Sequence, residues 1–498
     1  MGIPSYFSYI IRNHMRVLTK LSQTPLSFDN LYLDCNSIIY DSIREIQKSG
    51  LLRPAVADNY FAISSAVCAK IQYYIDQIRP SNTVFIAFDG VAPFAKMNQQ
   101  KTRRFRSAYL EYHGIVPKSS FNSCLITPGT EFMQYLSTSV NNHKFLSKSA
   151  IIVSASDEPG EGEHKLFQYI RANPSAHTGR NTVVYGLDAD LLMLSIFHTF
   201  HTNIFVYREA PEFAKSLNAD LENGESYLLD IRQLCVSISQ EMDCKYPNSL
   251  RVFDYAFLCF LLGNDFLPHF PGLNIRTRGI YCILDAYKET CGRDAKTFIV
   301  EGSKINWHNF RKVLTWLAKR EEGWIRTEYV KRGEIRFSTS YTNDAEKEAV
   351  FNNAPLVYRA TEHYINPGES HWQTRYYKAL FRSSPGIDQI CTNYFEGLEW
   401  VFRYYTDQCF DWRWKYNYHY PPLLSDLVSA NLSSRRYFQK PVFNPFSSKT
   451  QLSYVLPPSD FDFGSVRFEW AFCRYFWESH FSSLKDPSRH EMEQLESK

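Results

Sequence analysis

The chain lacks the features of a secreted, membrane-bound or polycationic protein. Its eleven cysteines are scattered and include no C-x-x-C pair, which argues against a zinc knuckle or a disulfide framework and indicates reduced thiols. The longest apolar stretch, Tyr255–Leu262, is too short to cross a bilayer, and the N-terminus lacks the apolar core of a signal peptide. A net charge of only +3 excludes a general nucleic-acid coat, so any such binding must come from a local patch. We therefore expect a soluble intracellular protein without membrane contact, with the cytoplasm favoured and the nucleus not excluded.

What the sequence does contain is an alternation of strand-like and helix-like segments. Its 498 residues, 16% of them aromatic, are enough for two or three well-packed domains. Amphipathic segments such as Ala57–Ile78 and Phe132–Leu146 alternate with short apolar runs, and Thr127-Pro128 predicts the start of a helix. This alternation predicts an α/β fold with a mostly parallel sheet covered by helices. The candidate strands are Leu31–Leu33, Thr83–Phe88, Ala150–Val153, Thr182–Tyr185 and Asn203–Tyr207.

The pattern changes in the second half of the chain. Charged and polar sequence around residues 320–365 predicts a linker or insertion, and the part after it is rich in Trp, Tyr and Pro. We therefore divide the chain into a first region of residues 1–325, a linker or insertion of residues 326–363, and a second region of residues 364–498. The second region is expected to be largely helical and to pack on the first.

The most informative stretch is Asp89–Arg106. Asp89 ends the strand Thr83–Phe88, and a helix follows Pro93. One face of this helix carries three cations and an amide at i, i+4, i+7 and i+8, which suits a phosphate ester. A lone basic helix is more often a solvated surface, so the interpretation depends on what surrounds it. The four residues are Lys96, Gln100, Arg103 and Arg104.

Acidic residues recur where the predicted strands end. In an open parallel sheet, ligands bind beyond the carboxyl ends of the strands, so acids at several strand ends meet at one edge. The turn P-G-E-G-E-H supplies two more acids, and the loop G-N-D-F-L-P supplies another after the apolar helix Phe253–Leu262. Singly, each could be a helix cap or a loop residue. The seven candidates are Asp34, Asp89, Glu161, Glu163, Asp188, Asp190 and Asp265.

Seven converging carboxylates need cations, because like charges raise each other's pKa and destabilise the fold. Ligands that are all oxygen select hard Mg²⁺ or Mn²⁺. Two such ions a few ångströms apart stabilise the attacking and leaving oxygens of a phosphodiester displacement. Together with the basic helix, the acids therefore predict a metal-dependent nuclease.

These motifs, in this order, closely resemble the eukaryotic 5′→3′ exoribonuclease family of the Xrn/Rat type. The resemblance covers nearly the whole chain, including a second block in its later half. The matching segments of the first region are M-G-I-P-S-Y-F, N-L-Y-L-D-C-N-S-I-I-Y, D-G-V-A-P-F-A-K-M-N-Q-Q-K-T-R-R-F-R, I-T-P-G-T-E-F-M, E-P-G-E-G-E-H-K, Y-G-L-D-A-D-L-L-M-L and F-L-L-G-N-D-F-L-P-H. Those of the later half are E-G-L-E-W-V-F-R-Y-Y, D-W-R-W-K-Y-N-Y-H-Y-P-P and Y-V-L-P-P.

The resemblance implies a PIN-like catalytic core, related to flap endonucleases, with a second region that narrows the active-site entrance. It assigns the seven acids to two Mg²⁺ or Mn²⁺ ions, and Lys96, Gln100, Arg103 and Arg104 to a pocket for a 5′-monophosphate. It also implies a monomer that acts on single-stranded RNA, with decapping or RNA 5′-processing factors as candidate partners.

The sequence departs from the family in three places. Tyr40 stands where the family usually has a His that stacks on the terminal base; Tyr can stack, but it cannot supply an imidazolium. The zinc knuckle of some nuclear members is absent. The chain ends soon after Trp477-Glu478-Ser479-His480, without the long C-terminal domains of cytoplasmic members, so we expect a short version. A second stacking ring is expected from Trp412 or Trp414, although Trp is as often a core residue.

These observations favour a processive 5′→3′ exoribonuclease that degrades 5′-monophosphorylated RNA to nucleoside 5′-monophosphates. A flap-type structure-specific endonuclease would use the same acids, but the second block would obstruct a duplex junction. A catalytically inactive RNA-binding protein would tolerate loss of acids, and none of the seven matching positions is substituted.

Overall fold

The computed structural model describes residues 2–3, 5–53, 56–116, 121–209, 221–222, 224–336, 339–353, 356, 358–381, 386–430, 437–465, 468–469, 480–481 and 486–497. The segment Trp477-Glu478-Ser479, noted above, lies outside the described residues.

The described part of the chain is built on a seven-stranded sheet with the order β1-β7-β6-β5-β2-β3-β4. Strands β2 to β6 run parallel, whereas β7 pairs antiparallel with β6 and β1 pairs antiparallel with β7. The strands are β1 Leu18–Lys20, β2 Asn30–Asp34, β3 Thr83–Ala87, β4 Ala150–Ser154, β5 Asn181–Tyr185, β6 Asn203–Glu209 and β7 Ser226–Asp230. Two further antiparallel strand pairs are β8 Val300–Glu301 with β9 Lys304–Ile305, and β10 Phe468–Glu469 with β11 His480–Phe481.

Helices cover both faces of this sheet and form most of the later half. Those of the first half are α1 Tyr6–Asn13, α2 Asn36–Lys48, α3 Tyr60–Ile78, α4 Phe94–Tyr112, α5 Glu131–Asn142, α6 Gly162–Ala172, α7 Asp190–Phe197, α8 Ile231–Glu241 and α9 Arg251–Leu258. They are followed by α10 Gly279–Glu289, α11 Trp307–Glu334, α12 Asp344–Asn352, α13 Ala360–Ile365, α14 Trp372–Leu380, α15 Ile387–Thr406, α16 Leu424–Ser429, α17 Ser448–Val455 and α18 Arg489–Glu496. No helix in the described ranges is both long and apolar enough to span a membrane.

The α/β class and the five candidate strands are confirmed, each to within two residues at either end. The predicted helix start at Thr127-Pro128 is wrong. Helix α5 begins at Glu131, where the Thr130 hydroxyl oxygen accepts the Met133 N–H at 3.4 Å and caps the first turn. The predicted helix Phe253–Leu262 is α9 continued by the 3-10 turn Cys259–Leu262.

Alternating strand residues fill two apolar cores. On β2, Leu31 and Leu33 face the core formed with α2, α3 and α5, while Tyr32 faces the opposite core. This second core continues without a break into the later half, where it includes Phe310 and Trp400. Both faces of the parallel sheet are therefore buried, as parallel strands require.

The linker predicted at residues 326–363 begins inside a continuous helix. Helix α11 runs from Trp307 to Glu334, and buried Glu328 accepts a hydrogen bond from the Asn274 side chain at 3.1 Å. Buried Arg332 pairs with Glu362 of α13 at 3.1 Å. The charges of Glu328, Arg332 and Glu362 are thus paired within the fold, and the division of the chain into three regions stays a prediction.

Candidate active site

The carboxylates predicted from strand ends lie together at one edge of the sheet. Strand β2 is central: the chain moves outward on one side to β3 and β4, and resumes on the other side with β5. Ligands bind at such reversal points in parallel sheets. Asp34 is the last residue of β2, Asp89 follows β3, and Asp188 follows β5.

Helix α6 brings two more acids against these three. Glu161 precedes the helix and Glu163 lies in its first turn. Between them, the Gly162 N–H donates to Asp89 Oδ1 at 2.7 Å. A Cβ on Gly162 would lie 2.5 Å from Asp34 Oδ1, so only glycine leaves room for that carboxylate. The G-E-G-E turn thus packs the acids of three chain segments side by side.

The remaining two acids lie deeper. Asp190 is the first residue of α7 and is 1% exposed. The Asp265 side chain is 2% exposed and lies beneath the basic helix α4, with Oδ2 2.6 Å from Lys96 Nζ. All seven predicted acids are therefore brought into one cluster.

Lys96 lies inside the acid cluster as well as on the basic face. Its Nζ is 2.5 Å from Glu161 Oε2 and 2.6 Å from Asp265 Oδ2, and its side chain is buried. This placement goes beyond the predicted phosphate contact: the cation also neutralises two acids.

Burial and mutual repulsion raise the pKa values of the acids, whereas nearby positive charge lowers them. Burial, with Asp89 and Asp188 adding to it, raises the pKa of Asp34 well above its usual value. Burial and Asp265 raise the pKa of Asp190 to about 7. Burial would also raise the pKa of Asp265, but the Lys96 ammonium holds it below its usual value. Of the seven acids, only Asp188 and Asp265 have a lowered pKa, and burial raises the pKa of the other five.

The donor set fits a hard divalent cation. Asp34 Oδ1 and Glu163 Oε2 are buried and accept no hydrogen bond from the residues that the structure describes. Such oxygens are costly to bury unless a cation coordinates them. Within those same residues, no three Asp, Glu, His or Cys side chains form a ready-made ligand group. Lys96 pairs with two of the acids, Glu161 and Asp265.

A cavity of about 360 Å³ opens above the acids. Gln100 Oε1 and Arg103 Nε are buried without a hydrogen-bond partner in the described part of the chain. Arg104 is tethered by carbonyl oxygens of Ser123 and Ile126, both at 2.8 Å. The lining of the cavity has an acidic side and a basic side. The acidic side includes Asp34, Asp89, Glu161, Glu163 and Asp188, and the basic side includes Lys96, Gln100, Arg103 and Arg104.

Tyr40 lies at the rim of this cavity. It is on α2, 36% exposed, and its hydroxyl oxygen accepts a hydrogen bond from Arg104 Nη2 at 3.3 Å. The residue that resembles the family's stacking position is therefore tied to the basic face, with its ring partly open to solvent.

The two tryptophans proposed as a second stacking ring do not reach the cavity. Trp412 and Trp414 are each 7% exposed, and neither lines it. Trp414 stacks on Trp400 with centroids 5.3 Å apart, and Trp412 packs edge-on against Phe443 at 5.1 Å. Both positions fit the alternative interpretation, that of core residues.

Three residues that hold the acids in place are not among those predicted from the sequence. Asn36 donates to Asp89 Oδ2 and accepts from the Asp89 N–H at 3.0 Å. Lys165 Nζ donates to the carbonyl oxygens of Phe88 and Ala155, both at 2.8 Å, and joins the ends of β3 and β4. The Tyr404 hydroxyl of α15 donates to Glu161 Oε1 at 2.9 Å. Only the position of Asn36, two residues after Asp34, could have suggested a supporting role.

Two protein-family models match the chain. The XRN 5′-3′ exonuclease N-terminus matches residues 1–210, and the Xrn1 helical domain matches residues 248–367 and 357–462. Among curated proteins, the 5′-3′ exoribonuclease 2 homolog of Drosophila melanogaster is 26% identical over 592 residues, covering 92% of this chain and 64% of its own length. The 5′-3′ exoribonuclease 1 of Homo sapiens is 29% identical over 537 residues, covering 92% of this chain and 30% of its own.

The chain spans less than two thirds of the length of these curated relatives. Among solved structures, the catalytic core of Rad2 in complex with a DNA substrate is 14% identical, with a TM-score of 0.34, covering 70% of this chain and 85% of that one.

Proposed function

Because the chain belongs to the XRN 5′-3′ exonuclease family, we propose that it is a processive 5′→3′ exoribonuclease. Its substrate is single-stranded RNA with a 5′-monophosphate, and its products are nucleoside 5′-monophosphates. The curated relatives named above are 5′-3′ exoribonucleases, which supports the reaction class.

The observation that carries this proposal is the composition of one cavity. Acids form one side of its lining and the basic face of α4 forms the other, with the unpartnered polar atoms of Gln100 and Arg103 beside it. A terminal phosphate placed on the basic face would hold the first phosphodiester beside the acids. The reaction would then begin at a 5′ end, because only an end presents a terminal phosphate.

The basic face suits one phosphate group better than a longer chain of them. Arg103 and Arg104 offer forked donors that match phosphate oxygens, and Gln100 adds an amide. The cavity of about 360 Å³ is at the small end for ligand sites, which favours a single terminal phosphate over a larger 5′ group such as a cap.

We further propose that two Mg²⁺ or Mn²⁺ ions bind among Asp34, Asp89, Glu161, Glu163, Asp188, Asp190 and Asp265. Ions bound there would supply an activated water and would stabilise the leaving oxygen. The chain's own residues would hold the phosphate, orient the scissile bond and keep the acid side chains in position. Lys96 contributes a fixed positive charge between the acids and the terminal phosphate.

The test compares end-labelled RNAs of one sequence that differ only in their 5′ group. The purified protein should release nucleoside 5′-monophosphates from 5′-monophosphorylated RNA in the presence of Mg²⁺, and should leave 5′-hydroxyl and 5′-triphosphate RNA largely intact. EDTA should stop the reaction. Product analysis by thin-layer chromatography separates mononucleotides from oligonucleotides.

The same assay separates the alternatives. A flap-type endonuclease would cut at a junction and release oligonucleotides at equal rates whatever the 5′ group. An inactive RNA-binding protein would retain RNA in a mobility-shift assay and release nothing. Decapping or RNA 5′-processing factors are the partners we propose to seek, and the ten free cysteines among the described residues support an intracellular compartment.

A further inference from the structure

The acid Glu161 is held from the second region of the chain by a tyrosine. The Tyr404 hydroxyl, near the end of α15, donates to Glu161 Oε1 at 2.9 Å, while Glu161 Oε2 faces Lys96 at 2.5 Å. Resting on the proposed metal-dependent activity, we propose that Tyr404 is a positioning residue that fixes Glu161 as a metal ligand. It acts through Glu161 and does not itself touch the substrate.

Aromatic residues pack against the Tyr404 ring on more than one side, and these contacts fix the direction in which its hydroxyl points. Its face stacks on His164 of α6 with centroids 3.6 Å apart and an interplanar angle of 15°. Trp400, one turn earlier on α15, lies 4.9 Å away, and Phe266 packs edge-on at 5.7 Å. The phenol is 4% exposed. A ring held in this way loses little side-chain entropy when it donates to Glu161.

These ring contacts also connect the second region to the turn that carries Glu161 and Glu163. His164 directly follows Glu163 in the first turn of α6, and its ring makes an edge-on contact with Tyr405 at 5.4 Å. Neighbouring tyrosines of α15 thus meet the same short segment that supplies Glu161 and Glu163. The second region therefore does more than narrow an entrance: it sets the geometry of the acids.

Tyr404 should affect metal affinity because its hydroxyl restricts the orientation of the Glu161 carboxylate. With Tyr404 in place, one carboxylate oxygen is fixed and the other points to the centre of the cluster. Without the hydroxyl, the carboxylate can turn toward Lys96 with both oxygens, which strengthens the ion pair that competes with a metal. Loss of a group that orients a metal ligand usually weakens metal affinity about 10- to 100-fold.

The experiment measures metal binding directly with the full chain and Mn²⁺. Tyr404→Phe removes one hydroxyl and keeps the ring in its stack. Tyr394→Phe is the matched control: Tyr394 is also buried on α15, and its hydroxyl donates to the Pro268 carbonyl oxygen at 3.1 Å instead of to a carboxylate. Mn²⁺ affinity is read by electron paramagnetic resonance, and hydrolysis is followed as a function of Mg²⁺ concentration.

We expect Tyr404→Phe to weaken Mn²⁺ binding about 10- to 100-fold and to raise the Mg²⁺ concentration for half-maximal activity by a similar factor. Activity at saturating Mg²⁺ should recover most of its wild-type value, and Tyr394→Phe should bind Mn²⁺ normally. In a Glu161→Gln background, Tyr404→Phe should change Mn²⁺ affinity much less, because the hydroxyl acts through that carboxylate.

Wild-type Mn²⁺ affinity in Tyr404→Phe, or an equal loss in Tyr394→Phe, would overturn the positioning role and leave the proposed nuclease function standing. A wild-type protein that neither binds Mn²⁺ nor hydrolyses RNA would instead overturn the proposed function and this inference with it.

Discussion

Lys96 and Asp265 form a buried ion pair, with Nζ 2.6 Å from Oδ2, although 169 residues separate them in sequence. The lysine belongs to the basic face of α4 and the aspartate to the acid cluster. The pair therefore joins the basic face and the acids into one continuous site. Breaking a buried ion pair is costly, so the two halves of the site are held at a fixed spacing.

The acids should be required for the chemistry and not for holding RNA. We expect Asp188→Ala to reduce hydrolysis below detection, because the metal site loses a ligand that lines the cavity. Binding of 3′-labelled RNA, measured by fluorescence anisotropy, should remain within about threefold of wild type because the basic face is intact. Asp157→Ala, at an exposed acid in the loop before α6, is the control and should keep full activity. Near-normal turnover in Asp188→Ala would contradict the assignment of the cluster.

The preference for a 5′-monophosphate should depend on Arg103. Its Nε has no partner among the described residues, and its side chain is 41% exposed at the cavity. We expect Arg103→Ala to cost about 2 kcal/mol of binding to the terminal phosphate and to erase most of the preference over 5′-hydroxyl RNA. Arg106→Ala is the matched control, since Arg106 donates to Asn352 on another face of the same helix. An unchanged ratio of rates on the two RNAs in Arg103→Ala would show that the phosphate is recognised elsewhere.

Processivity should depend on the ring of Tyr40. A base stacked on an aromatic side chain gains about 1–3 kcal/mol regardless of sequence, so Tyr40→Ala should stall the enzyme and leave intermediate lengths of RNA. Tyr40→Phe and Tyr40→His should keep most activity, because Arg104 retains its bonds to two carbonyl oxygens. Tyr73→Ala, at an aromatic residue that is 42% exposed and not part of the cavity lining, is the control. A product-length distribution unchanged by Tyr40→Ala on a long RNA would mean that Tyr40 only packs.

Stability should fall with rising pH because of Glu321, a buried acid far from the cavity lining. Its carboxylate accepts the Leu424 N–H at 2.9 Å and caps α16, and burial raises its pKa to about 8. Between about pH 4 and pH 8 the folded chain keeps a proton that the unfolded chain releases. The free energy of unfolding therefore falls as the pH rises, by up to about 1.4 kcal/mol per pH unit.

Urea unfolding across this pH range should show a flatter dependence for Glu321→Gln, which is neutral and keeps an amide oxygen for Leu424. Glu322→Gln, at an exposed neighbour, should follow the wild type. Parallel pH profiles for Glu321→Gln and wild type would show that Glu321 is ionised in both states.

Strands that are continuous apolar runs can be predicted from the sequence alone. Thr83–Ala87 and Asn181–Tyr185 are buried on both faces, so their composition alone identifies them. The antiparallel edge is different, because Leu18–Lys20 has only three residues and pairs with Ser226–Asp230 far along the chain. The charged residues of the last part of helix α11 have the composition of a solvated linker, and the sequence therefore predicts one there. In the structure, Glu328 and Arg332 are instead paired in the interior.

The acids could be located from the sequence because each follows a recognisable strand or turn. The supporting tyrosine could not, since Tyr394 and Tyr404 lie on the same buried helix in similar aromatic surroundings. Only the three-dimensional contact separates the one that reaches Glu161 from the one that reaches Pro268. The same ambiguity applies to Trp412, whose burial in the core no pattern of neighbouring residues reveals.

One apolar core extends from Tyr32 of the sheet to Trp400 of α15 without a gap between them. A truncation after residue 325 would remove Phe402 from its contact with Phe257 and Tyr405 from its contact with Phe260. Heating should consequently melt sheet and helices in a single transition, with no surviving half that retains activity.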